Sequence, residues 1–295
     1  MSSASTTWAW PWWSVMVIIN MVNLGLCALI YKRSNKPHAD PDAIYVKRMR
    51  LMGVIFTLVG AYRSVFVCRY FTQMAWFDTP LNSSLLIRTF AMAAELSFAG
   101  LFALAMLRIN SDFPARDEKN PAGFKIFLET QTPYFLLACI FLAQFFAYGG
   151  LIMKSKTLFA VEESLWSLGF VSILPLAFMQ WQRLKAVKDD SFTRLKGATR
   201  LILAWCIIYC CYGLFYHLPL ENWPGAFQQM ETGLPVIKTG WTAVRDSFLI
   251  VHESKVYSDW GFGFLLWHSA YFSICVWIAL YLMQAPRIIV GQKGD

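Results

Sequence analysis

The sequence predicts an all-α, polytopic integral membrane protein, a bundle of seven transmembrane helices, and three observations indicate this class. Hydrophobic residues make up 57% of the 295 residues and charged residues only 15%, whereas roughly a quarter of a soluble domain is charged. Apolar runs of about 20 residues, the length that crosses a bilayer, recur along the whole chain. Lys and Arg concentrate in alternate connections between these runs. We therefore expect one multi-pass domain embedded in the lipid bilayer.

Seven apolar runs, each bounded by charge, Pro or Gly, define the predicted spans. They cover residues 10–31, 51–71, 81–107, 133–153, 160–182, 199–218 and 261–283. The first, fourth, sixth and seventh runs contain almost no charge. The other three contain ionisable residues, so their interiors are the first place to look for a functional site.

The connection between the sixth and seventh predicted spans, residues 219–260, is longer than a plain connection needs. Within it Trp241, Val244, Phe248 and Val251 recur at helical spacing. This pattern predicts an amphipathic helix that lies on the membrane surface or caps the bundle. We expect this outer segment to cover one end of the bundle.

Positive charge predicts the orientation of the chain. Six Lys or Arg residues lie within residues 32–50, four within 108–125 and five within 183–196. None precedes the first span, and none lies within residues 72–80. Because cytoplasmic connections carry the excess of positive charge, the N-terminus is expected outside and the C-terminus in the cytoplasm. The net charge of +8 then reflects topology and contact with anionic lipid, and we expect no nucleic-acid partner.

Two ionisable residues fall near the middle of neighbouring spans. Arg63 lies in the second predicted span and Glu95 in the third. A short turn joins these spans, so they are antiparallel neighbours. A charge inside the bilayer is usually paired or functional. We therefore expect a buried Arg63–Glu95 ion pair.

Other polar residues map to the same outer half of the predicted bundle and complete a candidate ligand-binding set. The set consists of Arg63, Arg88, Glu95, Glu162, Glu163, His217 and His268. If their helix faces converge, they line a polar pocket that opens outward. Such a pocket predicts binding of a small polar or anionic solute for transport or sensing. The two arginines would supply positive charge, and the carboxylates would balance it or relay protons.

Two other functions stay open at this point. A membrane-embedded enzyme acting on a lipid or terpenoid would use Glu95, Glu163, His217 and His268 as its acid–base, or catalytic, groups. A structural subunit with a membrane-protein partner would use the same charges only to lock helices together.

The sequence predicts neither a cofactor nor a metal site. The last predicted span, residues 261–283, contains no Lys for a retinal Schiff base. The four histidines form no His-x-x-x-His or His-Glu-x-x-His pattern for zinc. A metal site made from His217, His268 and either His252 or Glu95 is the weak alternative. All seven cysteines fall inside predicted spans, so no disulfide framework is implied.

Overall fold

The computed structural model describes residues 7–33, 42–112 and 123–288. Two connections that carry part of the predicted positive charge, residues 34–41 and 113–122, lie outside the described residues. Within the described residues the fold is α-helical apart from one small sheet. Six helices are long and apolar enough to cross a membrane, which makes the chain a multi-pass membrane protein.

The helices are numbered here in chain order. They are α1 (Trp10–Arg33), α2 (Ala43–Val65), α3 (Ser84–Asp112), α4 (Gly123–Met153), α5 (Lys156–Lys185), α6 (Thr193–Tyr212), α7 (Trp223–Thr232), α8 (Gly240–Asp246), α9 (Tyr257–Trp260), α10 (Phe262–Ala270) and α11 (Val276–Leu282). A π-helical segment, Gly213–Asn222, joins α6 to α7 without a break. A second one, Tyr271–Cys275, joins α10 to α11. The six helices of spanning length are therefore α1, α3, α4, α5, the continuous α6–α7 helix and the continuous α10–α11 helix.

Helix α2 is the exception among the seven predicted spans. It packs between α1 and α3, but Lys47, Arg48, Arg50 and Arg63 make it too polar to qualify as a span on composition alone. It also ends at Val65, before the predicted boundary at residue 71. The seven-helix count therefore depends on how α2 is assigned.

The chain after α2 turns into a small sheet at one end of the bundle. Strand β1 (Cys68–Arg69) pairs antiparallel with β2 (Met74–Ala75), which pairs parallel with β3 (His252–Glu253). Phe66 and Val67, which follow α2, favour extended backbone over helix because aromatic and β-branched side chains pack well on strands. Arg69 consequently lies in a strand, and we call this end of the molecule the sheet end.

A tryptophan cluster closes the sheet end. The ring of Trp76 is fully buried, stacks on Trp13 at 5.8 Å between centroids and meets the edge of Trp10 at 5.3 Å. Trp260 lies on another side of it at 5.9 Å. Backbone bonds add to this packing, since the Ala9 amide donates to the Lys255 carbonyl. The N-terminal segment, the sheet and the segment before α10 thus form one cap.

Helix α4 begins ten residues earlier than predicted and contains Pro133 in its interior. Proline lacks the amide that would bond the carbonyl four residues before it, which here belongs to Glu129. The side-chain amide of Asn110 in α3 donates to that carbonyl at 2.9 Å. Tertiary structure therefore satisfies the group that Pro133 leaves open, and the helix continues.

The connection 219–260 is more helical than the sequence indicated. The helix that begins at Thr193 continues through Pro219 to Thr232, because the wider turns of the π-helical segment accommodate the proline. The predicted amphipathic helix shortens to α8, whose buried face carries Ala243. Trp241 is 79% exposed and lies away from the bundle.

Polar contacts join the helices at the end opposite the sheet. The Arg108 guanidinium of α3 donates to Asp42 at 3.0 Å, and Arg183 of α5 pairs with Glu129 of α4. Gln180 of α5 donates to Asn110 at 2.7 Å. An apolar core, rich in Phe, Leu, Ile and Ala, separates these contacts from the sheet end.

The closeness of α2 to α11 generates a stability prediction. A Cβ added at Gly53 would overlap the Cβ of Met283, whereas one added at Gly25 in α1 meets nothing within 4 Å. We expect Gly53→Ala to lower the free energy of unfolding by about 1–3 kcal/mol through overpacking. Gly25→Ala should be neutral or slightly stabilising, since alanine favours helix. Thermal unfolding in detergent measures both, and equal midpoints would contradict the packing described.

Candidate functional site

A buried ionic cluster joins α3, α4 and α5 near the sheet end. The guanidinium of Arg88 donates from Nη1 to Glu95 at 3.0 Å and to Glu162 at 3.3 Å. Its Nη2 contacts the second oxygen of Glu95 and the amide oxygen of Gln144. Gln144 in turn donates to Glu95 at 3.1 Å. All four side chains are at least nine-tenths buried, so one cation here serves two carboxylates.

The prediction of a buried Arg63–Glu95 ion pair is wrong. Glu95 pairs with Arg88, which lies seven residues before it and therefore on the same face of α3, two turns away. A long arginine side chain spans those two turns, so the pair forms within one helix and needs no partner from α2. The shared helix face was visible in the sequence, but the choice of partner was not.

Arg63 is held by aromatic rings. Its guanidinium carbon lies 4.8 Å from the centroid of Phe272, 5.1 Å from Tyr70 and 5.9 Å from Trp267. The residue is 3% exposed, and no carboxylate of the described residues lies within 4 Å of its guanidinium. Cation–π contacts stabilise such a group by about 2 kcal/mol when it is desolvated, but they do not neutralise its charge. Arg63 is thus a buried cation without a counter-charge in contact.

Polar atoms without hydrogen-bond partners lie in the region between the two arginines. The hydroxyls of Tyr70 and Tyr271 are buried and unpaired, and each interacts electrostatically with Arg63, Arg88 and Glu95. The Nε of Arg88 is buried and unpaired as well. Buried polar groups in proteins are nearly always paired, so each exception calls for an explanation. Here both tyrosine hydroxyls interact with Arg63, the cation without a counter-charge in contact.

His268 stands beside the aromatic rings that surround Arg63. It is 1% exposed, its Nε2 contacts the Arg63 carbonyl at 3.2 Å, and its ring lies 4.5 Å from that of Phe272. Its Nδ1 has no partner. One imidazole nitrogen is thus anchored to α2, and the other is a free polar group in the same region.

Both π-helical segments carry residues that matter for the candidate site. One carries Tyr271 and Phe272, and the other carries His217. A π-helical turn contains an extra residue, which re-aims the side chains that follow it and often occurs at functional positions. The sequence gives little warning of these turns, because their composition is that of the surrounding helix.

A second, more exposed cluster centres on His217. Its Nδ1 lies 2.7 Å from Glu221, and its Nε2 lies 3.7 Å from Glu163. The Tyr212 hydroxyl is 3.1 Å from the same Nδ1, and Tyr209 donates to Glu163 at 3.4 Å. Glu162 and Glu163 are consecutive in α5, yet Glu162 contacts Arg88 while Glu163 faces His217. The two clusters are therefore linked through consecutive residues of α5, whose carboxylates interact electrostatically.

Lys154 positions the segment that carries Tyr70. Its ammonium donates to the carbonyl of Phe71 at 2.9 Å and lies 3.5 Å from that of Tyr70. The residue follows the C-terminus of α4 with a φ of +57°, a position where glycine is usual. Burial, with smaller effects from nearby charges, lowers the pKa of Lys154 to about 8.

The structure places the predicted residues in three groups: two ionic clusters, and the aromatic rings around Arg63 with their neighbour His268. Arg88, Glu95 and Glu162 form the first cluster, Glu163 and His217 belong to the second, and Arg63 lies next to His268. Sequence reasoning missed Gln144, Tyr70, Tyr209, Tyr271 and Phe272. Gln144 had a signal, since it is the one strongly polar residue in the predicted span 133–153. The aromatic residues had none, because they look like ordinary core residues.

Known proteins provide no further guide. No family model matches the chain, and the comparisons with curated proteins and with solved structures find no match. Among the described residues no group of three His, Cys, Asp or Glu side chains is placed to hold a metal ion. The fold and its buried charges define a class, a multi-pass helical membrane protein with an ionic site inside the bundle.

The two buried arginines should respond differently to removal. Arg88→Met leaves Glu95 and Glu162 buried without their guanidinium, and we expect a loss of about 3–5 kcal/mol in the free energy of unfolding. Arg63→Met leaves no carboxylate without a contact, so its loss should be clearly smaller. Thermal unfolding of the two variants in the same detergent measures the difference. Equal losses would mean that Arg63 is as tightly compensated as Arg88.

Lys154 generates a pH prediction. Its folded pKa of about 8 lies below its ordinary value of 10.5, so between these pH values the unfolded chain binds more protons than the folded one. The free energy of unfolding should therefore gain a contribution that rises with pH across this window. Lys154→Met should remove that rise, and the neighbouring Lys156→Met should retain it. Unfolding midpoints at pH 8 and pH 10.5 test the prediction, and parallel behaviour of the two variants would contradict it.

Proposed function

We propose that this chain is a seven-helix membrane protein that binds a small carboxylate at Arg63, for transport or sensing. The observation that carries the proposal is a buried guanidinium with aromatic contacts and with no carboxylate from the described part of the chain within 4 Å. An uncompensated charge inside a bundle is costly, and such residues usually mark solute or ion pathways. An anion that binds Arg63 would remove that cost.

The chemistry of the region favours a ligand with one negative charge. The planar guanidinium presents paired donors that match the two oxygens of a carboxylate. One uncompensated cation offsets one negative charge, whereas a doubly charged phosphate would leave a net charge buried. The rings of Phe272 and Trp267 offer apolar surface for the rest of a small organic acid. The unpaired hydroxyls of Tyr70 and Tyr271 are additional donors.

Two features support the seven-span topology with the N-terminus outside. Helix α2 packs between two helices of spanning length, α1 and α3, and its Lys47, Arg48 and Arg50 lie together near one end. Contacts from Arg108 and Arg183 place the positively charged ends of α3 and α5 at the end opposite the sheet. Because positive charge collects on the cytoplasmic side, the sheet end would face outward. The candidate site lies nearer to that end.

Ligand stabilisation of the purified protein tests the proposed site. Benzoate and acetate should raise the unfolding midpoint of the wild-type protein in a concentration-dependent way, as expected for a ligand that binds the folded state. Arg63→Gln should abolish this effect, and inorganic phosphate should produce little of it. Arg245→Gln is the matched control, because Arg245 is a largely exposed arginine outside the site and should leave the benzoate effect unchanged.

Tyr271→Phe provides a second variant that separates binding from folding. The Tyr271 hydroxyl has no partner in the free protein, so its removal should not lower stability. It should weaken benzoate binding, by roughly five- to tenfold if the hydroxyl donates one hydrogen bond to the ligand. Benzoate binding that survives Arg63→Gln, or that disappears equally in Arg245→Gln, would overturn the proposal.

A further inference from the structure

Four buried charged groups of the candidate site have a net charge of zero only when they are counted together. They are Arg63, Arg88, Glu95 and Glu162. Arg88 faces two carboxylates, so that cluster has one negative charge in excess when all its groups are ionised. Arg63 has one positive charge in excess. The two groups are separated by more than contact distance, with the Tyr70 and Tyr271 hydroxyls interacting with both. Each excess charge therefore compensates the other at a distance.

An anion on Arg63 would disturb this balance. Its charge would offset Arg63 locally, and the carboxylates at Arg88 would lose the distant cation that compensates their excess charge. Electrostatic interactions act over longer distances in a desolvated interior than in water, so this loss is felt across the site. A buried carboxylate in that situation takes up a proton rather than remain charged.

We infer that the protein binds a proton together with the carboxylate, that Glu162 is the group that receives it, and that His217 passes it inward from the surface. This inference rests on the proposed function and adds a second ligand, the proton, to the same site. The bound pair is electrically neutral, so the site carries the same net charge empty and occupied. A transporter of this kind would couple its solute to a proton, and a sensor would respond to both.

Glu162 is the more weakly held of the two carboxylates at Arg88. Glu95 receives both Nη atoms of the guanidinium and the amide of Gln144, whereas Glu162 receives one contact at 3.3 Å. A proton on Glu95 would displace more hydrogen bonds than a proton on Glu162. Glu162 also interacts electrostatically with Glu163 of the exposed cluster.

His217 has the geometry of a proton carrier, because each of its ring nitrogens faces a different carboxylate. Nδ1 lies 2.7 Å from Glu221, which is 46% exposed, and Nε2 lies 3.7 Å from the less exposed Glu163. A neutral imidazole accepts a proton at one nitrogen and releases another from the second. The tyrosines that face this group are Tyr209, Tyr212 and Tyr216, which contact Glu163, His217 and Glu221 in turn.

The proton is conserved at each transfer. A hydronium ion from solution protonates Glu221, which passes the proton to Nδ1 of His217, and the imidazolium releases its Nε2 proton to Glu163. Glu162 and Glu163 are consecutive in α5 and interact electrostatically, and the Tyr209 hydroxyl, which donates to Glu163, interacts with both. The proton crosses from Glu163 to Glu162 when the two side chains rotate toward each other, since consecutive helix residues do not face each other at rest. Proton exchange with water, in which Nε2 takes up one proton and Nδ1 releases one, restores the starting tautomer with no net uptake. The sum is one proton moved from solution to Glu162, with no other group changed.

Proton uptake during benzoate binding tests the inference. Calorimetric titration of the detergent-solubilised full chain in two buffers with different ionisation enthalpies gives the number of protons taken up per benzoate. We expect about one for the wild-type protein, and an affinity that falls about tenfold per pH unit as pH rises. Glu162→Gln should take up no proton and should bind benzoate with an affinity independent of pH.

His217 should affect the rate of uptake and not its extent. A pH indicator in a stopped-flow experiment should show slower uptake in His217→Gln, with the same final number of protons. His252→Gln is the matched control, because His252 lies in β3 and is 58% exposed, so it should leave the rate unchanged. Equal rates in the two variants would overturn the role of His217.

The outcomes separate this inference from the proposed function. Benzoate binding without proton uptake would overturn the coupling and leave the Arg63 site intact. Uptake that persists in Glu162→Gln would overturn the assignment of the proton to Glu162. Absence of benzoate binding at every pH would overturn the proposed function and the coupling together.

Discussion

The contacts of Arg88 hold together the part of the molecule on which the candidate site depends. One guanidinium binds residues of α3, α4 and α5, so three helices share a single ionic contact inside an apolar bundle. Carboxylates at such depth persist only with a cation and hydrogen bonds in contact. This requirement sets the mutual positions of Glu95, Gln144 and Glu162, and it directs Glu163 toward His217.

Arg63 is also a buried cation, but aromatic rings contact it where carboxylates contact Arg88. Aromatic rings stabilise it without neutralising it, and the surrounding hydroxyls and imidazole nitrogen lack partners. At the opposite end the side chain of Asn110 is satisfied by Gln180 and the Glu129 carbonyl, and the one buried atom without a partner in that described group, Oε1 of Gln180, is uncharged and lies beside no unpaired cation. Unsatisfied groups beside an uncompensated cation fit a binding site better than a structural lock, since a ligand can complete them.

Several elements were predictable and others were not. Four of the seven apolar runs correspond to helices close to where they were expected, whereas α2 ended early and the run after residue 199 continued past Pro219. Helix α4 extended across Pro133 because Asn110 satisfies the Glu129 carbonyl. These differences share a cause. A helix end or interruption depends on partners supplied by other segments, and the local pattern of residues contains no record of them.

The sequence by itself determined the class of protein and the residues worth examining. Hydrophobic length and the scarcity of charge are local properties, so they reveal membrane helices and make each ionisable residue inside them conspicuous. Only the tertiary structure decided which charges meet. Arg88 and not Arg63 pairs with Glu95, and ordinary aromatic residues surround Arg63. The physical reason is that two charged side chains pair only if they point toward each other and their helices pack closely enough. The spacing of residues along the sequence specifies neither condition.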